Sequence, residues 1–372
     1  MKRVLIWGAA ALGLALLATS VFIVRTLTDM GAFTTLKPHF GGTCAAIAGV
    51  EGAEDVVVDR ERNIAFLSSV DFRAVLQGRE ANGRIAALDL AATPPRVLAV
   101  GVDGALDRFR PHGLSLAVAP DGARVLFAVS HRSPTEHAVE IFDVAYSDEG
   151  PRLSLRRSVT GPALVSPNDV AGLPDGTFYA TNDHGTQAPL GQRLEEVFRK
   201  PRSTLVRFDG SSLFTVADGL VFANGIALSN DATRLYVAEM LGHRLRIYVR
   251  DPATGDIRQG EGTQGLVWIG TAADNIDVDP EGALWVAAHP KFLDLAGLVG
   301  DPRKSAPSQI LEIAPNTDKP GGTIDEIYLS KGEELSAATV AVHLRDRMLL
   351  GSAFEPKVLL CELPEKRGML DR

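Results

Sequence analysis

One pattern recurs six times along this 372-residue chain, and it decides the architecture. Its fullest copy opens with Asp274-Asn275 and alternates through Ile276 and Val278 to the turn Asp279-Pro280-Glu281-Gly282. A second apolar run then ends at His289. Alternation punctuated by Pro and Gly reads as two antiparallel strands joined by a tight turn. Upstream, Asn224-Gly225-Ile226 leads to Leu235-Tyr236-Val237, and Asn168-Asp169-Val170 leads to Phe178-Tyr179-Ala180. His112-Gly113-Leu114 leads to Val125-Leu126-Phe127, and Glu54-Asp55-Val56 leads to Ile64-Ala65-Phe66. The faintest copy starts at Thr339-Val340. A spacing of roughly 50–65 residues holds about four short strands per unit, the signature of a propeller. The expected fold is therefore all-β, a six-bladed β-propeller over residues 28–372, forming one closed unit.

Symmetry carries this reading to chemistry. The polar residue opening each first strand sits at one height and radius, so Glu54, His112, Asn168, Asn224, Asn275 and Thr339 should converge on the axis. With Asp274, this set offers hard oxygen donors without cysteine, which suits calcium better than zinc or copper. Asp55 and Asp169 directly follow first-set residues and point to the other side of the strand start. A second, deeper calcium beside the Leu114 carbonyl would absorb their charge. The alternative is that these Asp and Asn residues only cap strand ends and turns. Asp277-Val278-Asp279-Pro280-Glu281-Gly282 imitates the start of an EF-hand loop, but Ala288 stands where that loop needs glutamate, so it reads as a turn.

The formal charge of -8, without a basic cluster, argues against nucleic acid as a partner. Lys2-Arg3 precedes an apolar run from Val4 to Val24, long enough to span a bilayer. Ala18-Thr19-Ser20 matches a signal-cleavage site poorly, so residues 1–27 are expected to be an uncleaved anchor, with cleavage as the alternative. The basic flank places the propeller on the exported, periplasmic or extracellular side. Cys44 and Cys361 bracket the repeats, and a closed ring brings its ends together, so a disulfide is expected there. The alternative is two unrelated buried thiols.

Residues 26–43 read as an irregular connector and Asp71–Gly83 as a polar loop. Leu190, Leu194 and Phe198 recur at helical spacing, which predicts a lid helix over the mouth. Lys291–Ser308 is a second insertion at the same end. His112 and His131 fall on neighbouring strands of one blade, where one histidine takes a proton from water and the other orients it. His184 and His289 end comparable strands and are candidate lining residues. His39, His137, His243 and His343 read as packed or rim residues. Gly-x-Ser-x-Gly, His-Glu-x-x-His and Cys-x-x-Cys do not occur, which leaves metal-assisted hydrolysis as the expected chemistry.

Several motifs together resemble the serum paraoxonase/arylesterase family: Ala53-Glu54-Asp55-Val56, Arg110-Pro111-His112-Gly113, Thr181-Asn182-Asp183-His184, Phe222-Ala223-Asn224-Gly225, Ala238-Glu239-Met240-Leu241 and Ala288-His289-Pro290. The resemblance runs from about Cys44 to Leu363 and implies a two-calcium propeller hydrolysing lactones, aryl esters and, as a side activity, organophosphate triesters. It implies Glu54, Asn168, Asn224, Asp274 and Asn275 as ligands of a catalytic calcium. Asp55, Asp169 and the Leu114 carbonyl would hold a structural one. It further implies His112 and His131 as a catalytic pair, with Glu54 or Asp274 as alternative bases. Phe222, Asp183, His184, His289, Phe292 and Thr339 become pocket residues, Cys44–Cys361 a disulfide, and the apolar N-terminus a retained anchor. The lid departs from the animal enzymes in being charged (Arg193, Glu195, Glu196, Arg199, Lys200). Two other readings stay open: a sugar-lactonase type of propeller, and a binding scaffold whose calcium is purely structural.

Overall fold

The computed structural model describes residues 2–104, 106, 108–314 and 323–364; the last eight residues of the expected propeller lie outside them. Among the described residues six sheets follow one another, antiparallel except where Gly101–Asp103 pairs parallel with Gly150–Val159 at the edge of the second, and their inner strands are neighbours around a closed ring. These inner strands are Val56–Asp59, Pro111–Val118, Pro167–Gly172, Ala223–Leu228, Ala272–Val278 and Val340–Leu344. Each begins where a repeat was read, so blade order follows sequence order.

The last blade is completed from the other end of the chain. Thr43–Ala48 pairs antiparallel with Lys357–Glu362, with Cys44 directly opposite Cys361. The two are bonded, 317 residues apart in sequence. The expected bridge is present, and it joins the two sides of the ring's seam.

Apolar side chains from successive blades meet in shared clusters. Val56 and Leu67 of the first blade, for example, pack with Val340 and Leu349 of the last. Burial of this kind stabilises by roughly 1.5–3 kcal/mol per large aliphatic side chain. A polar lattice at the base adds to it: Asp59 of the first blade accepts from Arg124 Nε of the second at 2.9 Å and from Tyr146 Oη at 2.6 Å.

Among the described residues four α-helices lie outside the blades: α1 (Lys2–Asp29), α2 (Phe72–Leu76), α3 (Pro189–Phe198) and α4 (Phe292–Gly300). The lid helix appears as α3, beginning with proline at its first turn, where a missing N–H costs nothing. The segment read as a polar loop contains α2, capped by Asp71 Oδ1 accepting from Ala74 N–H at 2.8 Å. One turn of helix is too short for apolar periodicity to reveal.

Helix α1 contains a 20-residue stretch, Ala10–Asp29, long and apolar enough to cross a bilayer. Its lower end meets the lid: Phe22 stacks on Phe198 at 5.5 Å, and Arg199 pairs with Asp29. The connector after it is tied down by a bridge between His39 and Leu329.

Candidate functional site

The inner strands share a local defect that builds the site. In four blades the ladder slips between Pro111 and Leu114, Pro167 and Val170, Ala223 and Ile226, and Ala273 and Ile276. Each slip releases two residues from pairing: His112-Gly113, Asn168-Asp169, Asn224-Gly225 and Asp274-Asn275. A bulge redirects side chains that a regular strand would alternate. In the first and last blades the same height is reached just before the strand, by Glu54-Asp55 and Thr339. Two positions need glycine for approach: a Cβ on Gly113 would lie 2.3 Å from Asp169 Oδ1, and one on Gly225 2.6 Å from the Asn275 Cα.

Above these bulges lies a cavity of about 780 Å³. Glu54, His112, Asn168, Asn224 and Thr339 of the set expected from symmetry reach it, and Asp274 reaches it where Asn275 was expected. Its walls are apolar and come largely from α2 and α4: Phe72, Val75, Phe292, Leu295 and Val299, with Phe222 opposite. Asn275 sits lower, 1% exposed, donating from Nδ2 to Glu54 Oε1 at 2.9 Å and to the Glu54 carbonyl at 3.1 Å. Thr339 donates to that carbonyl at 2.6 Å, which ties the last blade to the first.

The amides share one orientation. Asn168 Nδ2 donates to Asp183 Oδ2 at 3.5 Å, Asn224 Nδ2 faces Met240 Sδ at 3.8 Å, and Asn275 Nδ2 is held by Glu54. With the donor ends engaged, the three carbonyl oxygens are left over. Among the described residues, Glu54 Oε2 and Oδ1 of Asn168, Asn224 and Asn275 are buried without a hydrogen-bond partner. Orphaned acceptors are costly in a folded protein unless something electropositive meets them. Burial, followed by repulsion from Asp55 and Asp274, pushes the Glu54 carboxyl well above its ordinary value. An all-oxygen set with this charge fits calcium.

Asp55 and Asp169 lie beneath, and each laces its blade to the next. Asp55 Oδ2 accepts from Leu114 N–H at 2.6 Å and Asp169 Oδ2 from Ile226 N–H at 2.8 Å. Their other oxygens accept from Val56 and Val170 N–H. Leu114 is thus held through its N–H, which the bulge frees from the ladder. Burial raises the Asp55 carboxyl to about 7, with repulsion from Asp274 and Asp277 adding to it, and raises Asp169 well above its usual range, with repulsion from Asp55 and Asp274 adding there.

His112 and His131 pack edge to face at 5.1 Å, and His112 Nε2 lies 3.6 Å from Glu54 Oε1. Burial pushes His112 down to about 4 and His131 well below 6.5, so both are neutral at pH 7. A third imidazole joins them: His131 Nδ1 lies 3.0 Å from His137 Nδ1. From sequence alone His137 reads as a packed or rim residue. It faces His131 across a hairpin whose strands run Arg124–Ser133 and Glu136–Ser147, in register His131 to His137. Strand pairing at a two-residue turn was the available signal.

His289 lines the cavity with Nε2 fixed 2.7 Å from Asp274 Oδ2. His184, expected in the pocket, is instead behind its wall, edge-on to Phe222 at 4.9 Å and clasped by Asp183 Oδ1 (2.7 Å) and Glu196 Oε1 (3.1 Å). The lid helix brings Glu196 there and takes the outward position for itself. Burial opposes charge on His184, but the two carboxylates outweigh it and lift the imidazole to about 10.

A closed ring with orphaned oxygen donors and neutral histidines under an apolar chamber defines a propeller hydrolase. Residues 41–363 match the family described as Arylesterase. Serum paraoxonase/arylesterase 1 of Homo sapiens is 30% identical over 344 residues, spanning 90% of this chain and 93% of the human protein. Serum paraoxonase/arylesterase 2 of Rattus norvegicus is 30% identical over 370 residues, spanning 98% and 100%. The chain belongs to the arylesterase family. Among solved structures, a luciferin-regenerating enzyme superposes with a TM-score of 0.53 at 14% identity, over 88% of this chain and 96% of that one, a likeness of fold alone.

Proposed function

We propose that this protein is a calcium-dependent hydrolase of lactones and aryl esters. The observation that carries the reading is the set of partnerless oxygens of Glu54, Asn168, Asn224 and Asn275 gathered beneath one cavity, beside Asp274. These five residues would hold the catalytic ion, and Asp55 and Asp169, with the Leu114 carbonyl, a structural one. When bound, the catalytic ion supplies Lewis-acid polarisation of the ester carbonyl.

The chain's own residues do the rest. Phe72, Phe222 and Phe292 grip the apolar part of the substrate and exclude water from it. Neutral His112 keeps a lone pair available to take a proton from an attacking water, and His131 supports it edge-on. Asp183 turns Asn168, and Asp274 fixes His289, so orientation is set before substrate arrives. The apolar walls favour lactones with hydrocarbon chains over sugar lactones. Phosphotriesters, with a similar acceptor oxygen, form a secondary class. Helix α1 would anchor the propeller to a membrane on the exported side.

The test is hydrolysis of phenyl acetate and of a medium-chain lactone before and after complete calcium removal. Loss on removal with recovery on calcium return is expected; full activity without calcium refutes the reading.

A further inference from the structure

At the opposite end of the ring, Asp279, Glu281 and His343 bring one carboxylate oxygen each and an imidazole nitrogen within 4.8 Å of one another. They line a separate groove of about 1050 Å³. Three directional facts distinguish this trio from an ordinary turn. His343 Nε2 lies 2.7 Å from the Arg345 carbonyl, so that nitrogen carries the proton and Nδ1 presents a lone pair. Among the described residues that Nδ1 is buried without a hydrogen-bond partner, and it lies 3.3 Å from Asp279 Oδ2. The ring is locked there by stacking on Trp285, centroid 4.5 Å away and only 4° from parallel.

The first blade shows what such a place takes. Asp59 and Glu61 have the same spacing as Asp279 and Glu281. Asp59 Oδ1 accepts from the Arg62 N–H of its turn, and Oδ2 from an aromatic donor, Tyr146 Oη. Asp279 Oδ1 accepts from Ala283 N–H and Oδ2 from Trp285 Nε1. The difference is the group contributed by the following blade. Arg124 places a guanidinium on both Asp59 and Glu61, whereas His343 sets its Nδ1 against Asp279. Three arginines line the same groove, Arg60, Arg345 and Arg347; Arg60 is engaged by Asp277 at 2.9 Å, and Arg347 leans on Asp346. With the imidazole neutral, two acceptors face each other where the sister site holds a guanidinium.

We propose that His343 Nδ1, Asp279 Oδ2 and a Glu281 carboxylate oxygen form a binding site for a zinc-class divalent cation, latching the fifth blade to the sixth. Metal–ligand bonds of about 2.0–2.1 Å give a tetrahedron with edges of about 3.4 Å, matching the 3.3 Å between Nδ1 and Oδ2. A ligating histidine that donates its other N–H to a backbone carbonyl is the usual outer-sphere arrangement. Nitrogen with two carboxylates selects zinc or cobalt over calcium, so the two ends of the propeller would hold different metals.

The test uses the full chain in detergent, saturated with calcium and freed of other metals, titrated calorimetrically with Zn²⁺. Co²⁺ serves as the absorbing probe. One equivalent is expected to bind, at least ten-fold more weakly in His343→Gln and in Glu281→Gln, with calcium content and esterase rate unchanged in both. Glu281 is exposed on its turn, so its variant keeps the fold even if loss of the Trp285 stack disturbs the other. No zinc binding by the calcium-loaded protein, or undiminished binding by either variant, overturns the proposal.

Discussion

Replacing both cysteines by serine tests how the ring stays shut. The Cys44–Cys361 bridge spans 317 residues, for which the loop-entropy relation gives about 5–6 kcal/mol. Removal of native disulfides more often costs about 2–5 kcal/mol. The six register pairs from Thr43↔Glu362 to Ala48↔Lys357 remain as a non-covalent closure, so the lower range is expected here. With an m-value of about 3 kcal/mol per M, the urea midpoint of the calcium-loaded variant should fall by about 1 M. Amide exchange should report the loss first in Thr43–Ala48 and then in the last inner strand, because Thr339 is bonded to Glu54 across the seam. An unchanged midpoint would mean that the strand pair alone shuts the ring and that the entropy argument is wrong for this fold.

Four further outcomes follow from the geometry. His112→Gln should lower kcat on lactones by about 10²–10⁴ while calcium content, read by atomic absorption, stays constant; unchanged turnover moves the base to Glu54 or Asp274. His137→Phe should shift the pH profile of kcat, since His137 lines the cavity and lies against His131; a changed KM with an unaltered pH profile refutes that. Arg124→Met leaves Asp59 uncompensated between the first two blades and should destabilise by about 3–5 kcal/mol, read by thermal unfolding. His184 is raised to about 10 by Asp183 and Glu196, so its stabilisation of α3 is complete below the ordinary value near 6.5 and is lost as pH rises to 10. Protease cleavage in α3 should accelerate across that window in the wild type and not in His184→Gln.

The blades were legible because alternation and turn residues are local: each inner strand lies where its repeat was read. The gathering of Glu54, Asn168 and Asn224 beneath one cavity was legible through symmetry, since identical blade positions share a radius. What symmetry could not reveal was orientation. The amide rotations of Asn168 and Asn275 depend on Asp183 and Glu54, partners set by tertiary packing. His137 joined the histidines through a hairpin register invisible in composition, and α2 was too short to show a period. His184 lies behind the wall because Glu196, twelve residues further along the chain on the lid helix, reaches back to it, a contact no spacing rule specifies.

The seam also sets an order of events during synthesis. Cys44 emerges 317 residues before its partner, a wait of about 15–60 s at ordinary translation rates. Through that interval Thr43–Ala48 is an unpaired edge, open to any strand from a neighbouring nascent chain. With two cysteines in the whole sequence, Cys44 has no wrong partner within its own polypeptide. A competing bridge can form only with another molecule, so covalent dimers should mark chains that never closed.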